Sequence, residues 1–167
     1  MEQIKKKYSL SSSDVRELIQ KANKQGFLSK QKYERVEVLE LKENEKIILF
    51  EGMPLLIEIN SLLIPTLVNA NIKGLPSFKV DEGAIPHILN GADIMVPGII
   101  EYPKEIKEGM IATVKSIKED FLAIAKVLES PMEKINAKKG KLLKNLHHKN
   151  DKYYELCISI LKKLYKK

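Results

Sequence analysis

Residues 80–98 read "VDEGAIPHILNGADIMVPG". Three glycines, Gly83, Gly91 and Gly98, surround a helix-like run, and the stretch ends in a Pro-Gly pair. Glycine turns beside a helix are places where a phosphate can approach the main chain. The pattern admits a nucleotide cofactor, the backbone of an RNA, or backbone geometry alone. Asp81 ends a strand and caps the helix that follows. Ile85, Ile88, Leu89 and Ala92 fall at i, i+3, i+4 and i+7 and are expected to form its buried face. Pro86 fits if the regular helix begins near Gly83. Gly91 suits the left-handed position after the last turn, and Pro97-Gly98 reads as a turn with positive φ at the glycine. A dinucleotide fingerprint needs Gly-x-Gly-x-x-Gly, and the phosphate loop of nucleotide hydrolases ends Gly-Lys-Ser/Thr. Neither spacing occurs, which disfavours the cofactor reading.

Upstream, Ser13 or Asp14 can start an amphipathic helix through Val15, Leu18, Ile19 and Ala22, with Gly26 at its end. "RVEVLELK" alternates as a strand, and its phase slip at Val38-Leu39 hints at a bulge. "IILF" and "LLIEI" follow across turns, giving a meander of three strands. "IPTLVNANIKG" reads as a short helix with Pro65 in its first turn and Gly74 at its end. "KGLPS" at 73–77 is the best boundary. Downstream, "SFKV" and "GMIATVKS" read as strands. "FLAIAKVLE" is apolar at both phases, as in a strand buried on both faces. Ser130, Pro131 and Glu133 have the spacing of a capping box for a helix ending at Gly140. "KLLKNLHH" reads as a last strand. The terminal helix places Tyr154, Ile158, Leu161 and Tyr165 on one stripe, with Tyr153, Ile160 and Leu164 beside it.

The chain has 167 residues and is 44% apolar, enough for a core. No apolar run approaches the ~20 residues of a membrane span, and the basic start has no apolar stretch behind it, so neither membrane nor signal peptide is expected. The single cysteine, Cys157, allows no internal disulfide and is expected to be buried and inert. A cytoplasmic protein follows. The net charge is +7, but residues 51–108 carry 4 basic and 8 acidic side chains while residues 131–167 carry 11 and 3. Such asymmetry suggests a polyanion partner; a lysine-rich solvated face gives the same count.

Taken together, "VDEGAIPHILNGADIMVPGI" resembles the signature of the PUA domain, the module named after pseudouridine synthase and archaeosine transglycosylase. The resemblance is to the archaeal-type relatives of the malignant T-cell amplified sequence protein, a translation factor. "IPTLVNA" resembles the Tyr-Pro-Thr-Leu segment before the module in that branch. "GMIATVKS" is similar to the module's third strand, and "KKGKLLKNLHHKNDKYYEL" to its closing Gly-x-x-x-x-Asn-x-His-Tyr-x-x-Asp-x-x-Trp pattern. The match covers residues 74–156 well and residues 35–73 more loosely. His148 and Tyr154 replace the aromatic and Trp of that pattern, and Val96 stands where many relatives carry a basic or small polar residue.

The resemblance implies an α+β chain: a small N-terminal α/β-meander domain at 1–73, a PUA pseudo-β-barrel at 74–150 and a basic C-terminal helix at 151–167. It implies a non-catalytic, RNA-binding, ribosome-associated protein, a monomer in isolation, acting with tRNA or rRNA at the small ribosomal subunit in initiation or recycling, with a translation-factor partner. An accessory RNA-binding subunit of a tRNA- or rRNA-modifying enzyme and a protein-interaction module are the alternatives. Carried over, the RNA-binding loop is Gly91, Ala92, Asp93, Ile94 and Met95, leading into Val96, Pro97 and Gly98. Lys79, Gly83 and His87 flank it. Lys139, Lys141, Asn145 and His147 lie on or before the closing strand. Glycine lets a sugar-phosphate backbone approach, free N–H groups can bind phosphate oxygens, and lysines attract it through counterion release.

Each side chain also has a plain structural reading. Asp81 is a cap, Met95 is core, and Asp93 repels phosphate unless it meets a 2′-OH or a base edge. His87 points away from the apolar stripe. His147 and His148 point opposite ways on a strand, which disfavours joint metal binding. No nucleophile elbow, zinc motif or paired-carboxylate signature occurs, so no catalytic residue, metal site or cofactor is expected.

Overall fold

The computed structural model describes residues 4–166. Residues 1–3 and 167, which the expected domain limits include, lie outside them. The chain divides into two compact units. One runs up to Gly74 and resumes at Lys152; the other runs from Leu75 to Asp151.

The first unit begins with strand β1 (Lys6–Ser9) and helix α1 (Ser12–Lys24). Ser11 caps the helix, accepting the Asp14 N–H at 3.3 Å. Strands β2 (Val36–Glu40), β3 (Glu45–Phe50), β4 (Met53–Ile59) and β5 (Leu62–Pro65) complete an antiparallel meander in the order β1-β2-β3-β4-β5. It has two strands more than the sequence pattern gave. Its tight turns put Glu51 with Gly52, and Asn60 with Ser61, at positive φ, the handedness that fits the strand twist.

No bulge interrupts β2, whose register with β3 is continuous; the irregularity lies at Ile48/Leu49, opposite β4. Val38 and Leu39 are both buried because both faces are covered. The face carrying Val36 meets Ile19 of α1 across a cleft, and Leu39 lines a groove with Ile160 and Leu164 of the terminal helix.

The helix expected over 65–74 is absent. Pro65 ends β5, and only Ala70–Gly74 turns, as a 3-10 helix. Polar side chains take the main-chain bonds there. Thr66 Oγ1 donates to the Pro54 carbonyl at 2.7 Å, and Asn69 Nδ2 to those of Phe27 at 2.8 Å and Leu55 at 3.0 Å.

The second unit starts with β6 (Ser77–Val80), a 3-10 turn over Glu82–Ala84 and α2 (Ile85–Leu89). That turn puts Pro86 in the first turn of α2, where it displaces no bond. Then come β7 (Ile94–Met95), a 3-10 turn over Val96–Gly98, β8 (Ile99–Glu101), β9 (Ile111–Lys115), β10 (Phe121–Val127), α3 (Pro131–Ala137) and β11 (Lys141–His148). The sheet order is β7-β11-β10-β9-β6-β8, with β6 and β9 parallel. Both edges come from residues 94–101, so this one segment nearly closes the sheet into a pseudo-barrel. Val96 N–H donates to Gly140 O at 2.9 Å on one side, and Asp81 N–H to Gly98 O at 3.0 Å on the other. Phe78, Ile88, Ile94, Val96, Val114 and Leu142 are among its core residues. Leu122 to Ala125 are all buried, as a strand covered on both faces requires.

Three local expectations fail in this unit. Ser130 is left-handed at φ 51° and caps nothing, because a capping box needs an extended residue there; α3 ends at Ala137, with Lys138 and not Gly140 as its left-handed cap. Gly98 is not at positive φ. Its lack of a side chain serves packing, since a Cβ there would sit 3.3 Å from the Ala84 Cβ. Ala92 is exposed because α2 stops at Leu89.

The chain ends in α4 (Lys152–Tyr165), which belongs to the first unit and packs on β4. Its buried residues are Tyr153, Leu156 and Cys157; Tyr165 is 73% exposed, so the inner face is the neighbouring stripe. Glu45, buried at the start of β3, accepts hydrogen bonds from the Tyr153 hydroxyl and from Lys152 Nζ at 2.9 Å.

Candidate nucleic-acid interface

The turn after α2 is held by side chains of β11. Gly91 sits at φ 92°, a conformation that only glycine adopts without strain. Asn145 Nδ2 donates to the carbonyls of Ile88 and Ala92, each at 3.0 Å, and so closes the helix end. The Asn145 N–H donates to Asp93 Oδ1 at 2.8 Å, while Lys141 Nζ reaches Asp93 Oδ2 at 3.1 Å. Burial by itself pushes the Asp93 carboxyl up. The Asn145 N–H, Lys141 and Lys144 outweigh it and hold the group below the ordinary aspartate range. Asp93 is therefore a charged strut of the turn, which accounts for an acidic residue beside a basic strand. The N–H groups of Gly91 and Ala92 already donate to Ile88 O and His87 O, both at 2.9 Å, so they offer no cradle for phosphate.

Beside this turn runs a basic ridge. Lys138, Lys139, Lys144 and Lys149 are exposed and, among the described residues, make no ion pair within 4.0 Å. Lys134 donates to Lys141 O at 2.8 Å, fixing α3 to the start of β11. His148 stands next to the turn: a Cβ on Gly91 would lie 3.5 Å from its Nε2. His148 Nδ1 lies 2.9 Å from Lys149 O, an acceptor, so in the neutral ring Nδ1 carries the proton and Nε2 keeps a lone pair toward the turn.

A strand-edged pseudo-barrel with this turn is shared with other proteins. Residues 76–149 match the family model described as PUA domain, and residues 6–71 match a domain of unknown function, DUF1947. An uncharacterized protein of Methanocaldococcus jannaschii is 32% identical over 161 residues, covering 91% of this chain and 97% of that one. The chain belongs to this family of PUA-domain proteins. A hypothetical protein of Pyrococcus horikoshii superposes with a TM-score of 0.77 at 33% identity, over 91% of this chain and 99% of that one. A conserved PUA-domain protein of Thermoplasma acidophilum gives 0.71 at 26% identity, over 90% and 99%.

The PUA unit sorts the sequence-derived site residues into two groups. Exposed on it are Gly83, His87, Gly91, Ala92, Met95, Pro97, Lys139 and Lys141. Met95, expected in the core, is 47% exposed, because β7 is an edge strand whose outward position it occupies. The other residues hold the fold. Ile94 and Val96 are core, so a basic residue in place of Val96 would not sit on the surface of this turn. His147 is buried, with Nδ1 2.9 Å from Asp151 Oδ2. Lys79 pairs with Glu119 and, at 3.4 Å, with Glu101. The Glu119 hydrogen bond raises its pKa against a smaller opposing effect of burial, and Glu101 adds to the rise. Its charge is thus spent within the protein. Lys144 and His148 are the additions: the first from alternation along β11, the second from its position across from Gly91, which sequence order does not show.

Proposed function

We propose that the PUA unit binds folded RNA across the turn at 90–93, the outer edge of β7 and the ridge of β11. The observation that carries this reading is the row of unpaired lysines, Lys138, Lys139 and Lys144, beside a turn whose only carboxylate is already neutralised by Lys141. Lysines bind phosphates by releasing counterions, independently of sequence. The His148 Nε2 lone pair suits a ribose 2′-OH, and exposed Met95 suits the face of an unstacked base. Recognition is by shape and backbone, because the face offers few groups that could read base edges.

The test is binding of a tRNA transcript across a salt series. Lys139→Glu with Lys144→Glu lowers affinity about tenfold or more and flattens the dependence of log K on log salt by about two phosphate contacts. An unchanged slope would remove the ridge from the interface.

In the cell, this face suits an anchoring subunit that holds tRNA or rRNA for a modifying enzyme: cations and an imidazole fixed to the main chain grip RNA, and the partner supplies the chemistry. The second reading, a factor at the small ribosomal subunit, is supported by the resemblance of "IPTLVNA" and of the closing strand to the translation-factor branch. Sedimentation with small subunits in cell extracts favours the second reading. Loss of specific tRNA or rRNA modifications on deletion, without co-sedimentation, favours the first.

A further inference from the structure

The first unit holds a cleft of about 860 Å³ between α1, β2 and the loop at 30–35. That is the size range of small-ligand sites. Its floor is apolar, with Val15, Ile19 and Val36. Its rim carries Arg16, Lys30, Lys32 and Arg35 against two carboxylates, Glu34 and Glu51. Of the two, Glu51 is engaged: its Oε1 accepts the Arg35 main-chain N–H at 2.6 Å. Arg35 in turn meets Glu37 at 3.3 Å, while Arg16, Lys30 and Lys32 make no ion pair among the described residues. Tyr33 lines the cleft. Its ring is fixed edge-on against Phe50, 4.8 Å between centroids, and the Lys30 ammonium lies 6.0 Å over it. Ser9, Ser12 and Gln31 add hydroxyl and amide groups at the wall.

An immobilised aromatic ring, an apolar floor, surplus cations and a few hydrogen-bonding groups together match a flat base joined to a phosphate. We propose that this cleft is a nucleotide-binding site, taking one unpaired nucleotide with its base against Tyr33 and its phosphate at Arg16 and Lys32. Every residue lining it belongs to the first unit, so the site does not depend on the PUA face. Its occupant is an unpaired residue of an RNA or a free nucleotide, which share this chemistry. A protein segment is the competing occupant.

The test uses the full chain carrying Lys139→Glu and Lys144→Glu, so that the PUA face contributes little. Fluorescent hexauridylate and unlabelled UMP are the probes. Adding Arg16→Glu with Lys32→Glu, both exposed and unpaired, weakens hexauridylate binding about tenfold while the melting temperature stays unchanged. Ultraviolet crosslinking of hexauridylate followed by mass spectrometry places uridine on the peptide containing Tyr33. Tighter binding of hexauridylate than of UMP assigns the site to RNA; equal binding with the same loss assigns it to free nucleotide. Hexauridylate affinity that ignores Arg16 and Lys32, or adducts confined to residues 75–151, overturns the proposal. Failure of the tRNA salt-slope test leaves this result intact, since the two read different variants.

Discussion

The main-chain N–H of Asn145 on β11 meets the Asp93 carboxylate at 2.8 Å, while the side chain of the same asparagine closes the end of α2 through Ile88 O and Ala92 O. One residue therefore ties the glycine turn to the strand that carries the basic ridge. Asn145→Ala takes the side-chain donor from Ala92 O and leaves Ile88 O with the Gly91 N–H alone, and it destabilises the second unit by about 1–3 kcal/mol. Asn145→Asp costs more, because it turns a carboxylate toward those carbonyls and toward Asp93. Urea unfolding measures both, and hydrogen exchange shows faster opening at residues 90–93. Equal stability of Asn145→Asp and wild type would discard the strut.

Asp93 ties charge to stability. Its folded-state pKa lies below the ordinary aspartate range, so its contribution is complete at neutral pH and is lost as the pH falls through that depressed value. The stability gap between wild type and Asp93→Asn is therefore widest near neutrality and closes in acid. The same substitution releases Lys141, which then adds to the ridge: tRNA binding by Asp93→Asn tightens several-fold at low salt, roughly one further phosphate contact's worth. A gap that persists unchanged to pH values well below the aspartate range, or an RNA affinity that falls, contradicts this account.

Much of this was readable from residue order. The Asp81 cap, Gly91 at the helix end, the doubly buried β10 and the closing strand follow from local chemistry, and local chemistry decides them. The errors lie where distant residues decide. "IPTLVNA" looks helical until Thr66 and Asn69 find carbonyls at Pro54, Leu55 and Phe27. Val38-Leu39 looks like a slip because a helix at either end of the unit covers a different face of the same strand. The site shows the same division. Exposed lysines were visible by count, but pairing was not: Lys79 and Lys141 are neutralised by acids 22 or more positions away in the chain, and His147 turns inward to Asp151.

Gly91 and Gly98 test two different reasons for a glycine. Gly91→Ala must hold a side chain at φ 92° and costs about 1–2 kcal/mol. Gly98→Ala has no such penalty, but its Cβ meets the Ala84 Cβ at 3.3 Å, a contact that must give by a few tenths of an ångström. Ala84→Gly consequently rescues Gly98→Ala and leaves Gly91→Ala unimproved. A double-mutant cycle on thermal unfolding reads this directly. Rescue of both glycine variants, or of neither, would show that the two positions are not distinguished by φ and packing.

Glu45 anchors the terminal helix to the first sheet, and its two partners are unequal. The Tyr153 hydroxyl donates to the carboxylate inside the protein, whereas the Lys152 side chain that pairs with it is 43% exposed. A hydrogen bond to a buried charge is worth about 1.5–3 kcal/mol, and a half-exposed ion pair about 0–1 kcal/mol. Tyr153→Phe keeps the ring in place and removes only the donor, so it destabilises the first unit more than Lys152→Ala does. Once Glu45 is changed to Gln, no buried carboxylate remains for the hydroxyl to stabilise, and the additional loss from Tyr153→Phe shrinks. Denaturant titration of the four chains in that cycle gives the coupling. Additive losses would mean that the hydroxyl and the carboxylate act separately, and that α4 is held by its apolar face alone.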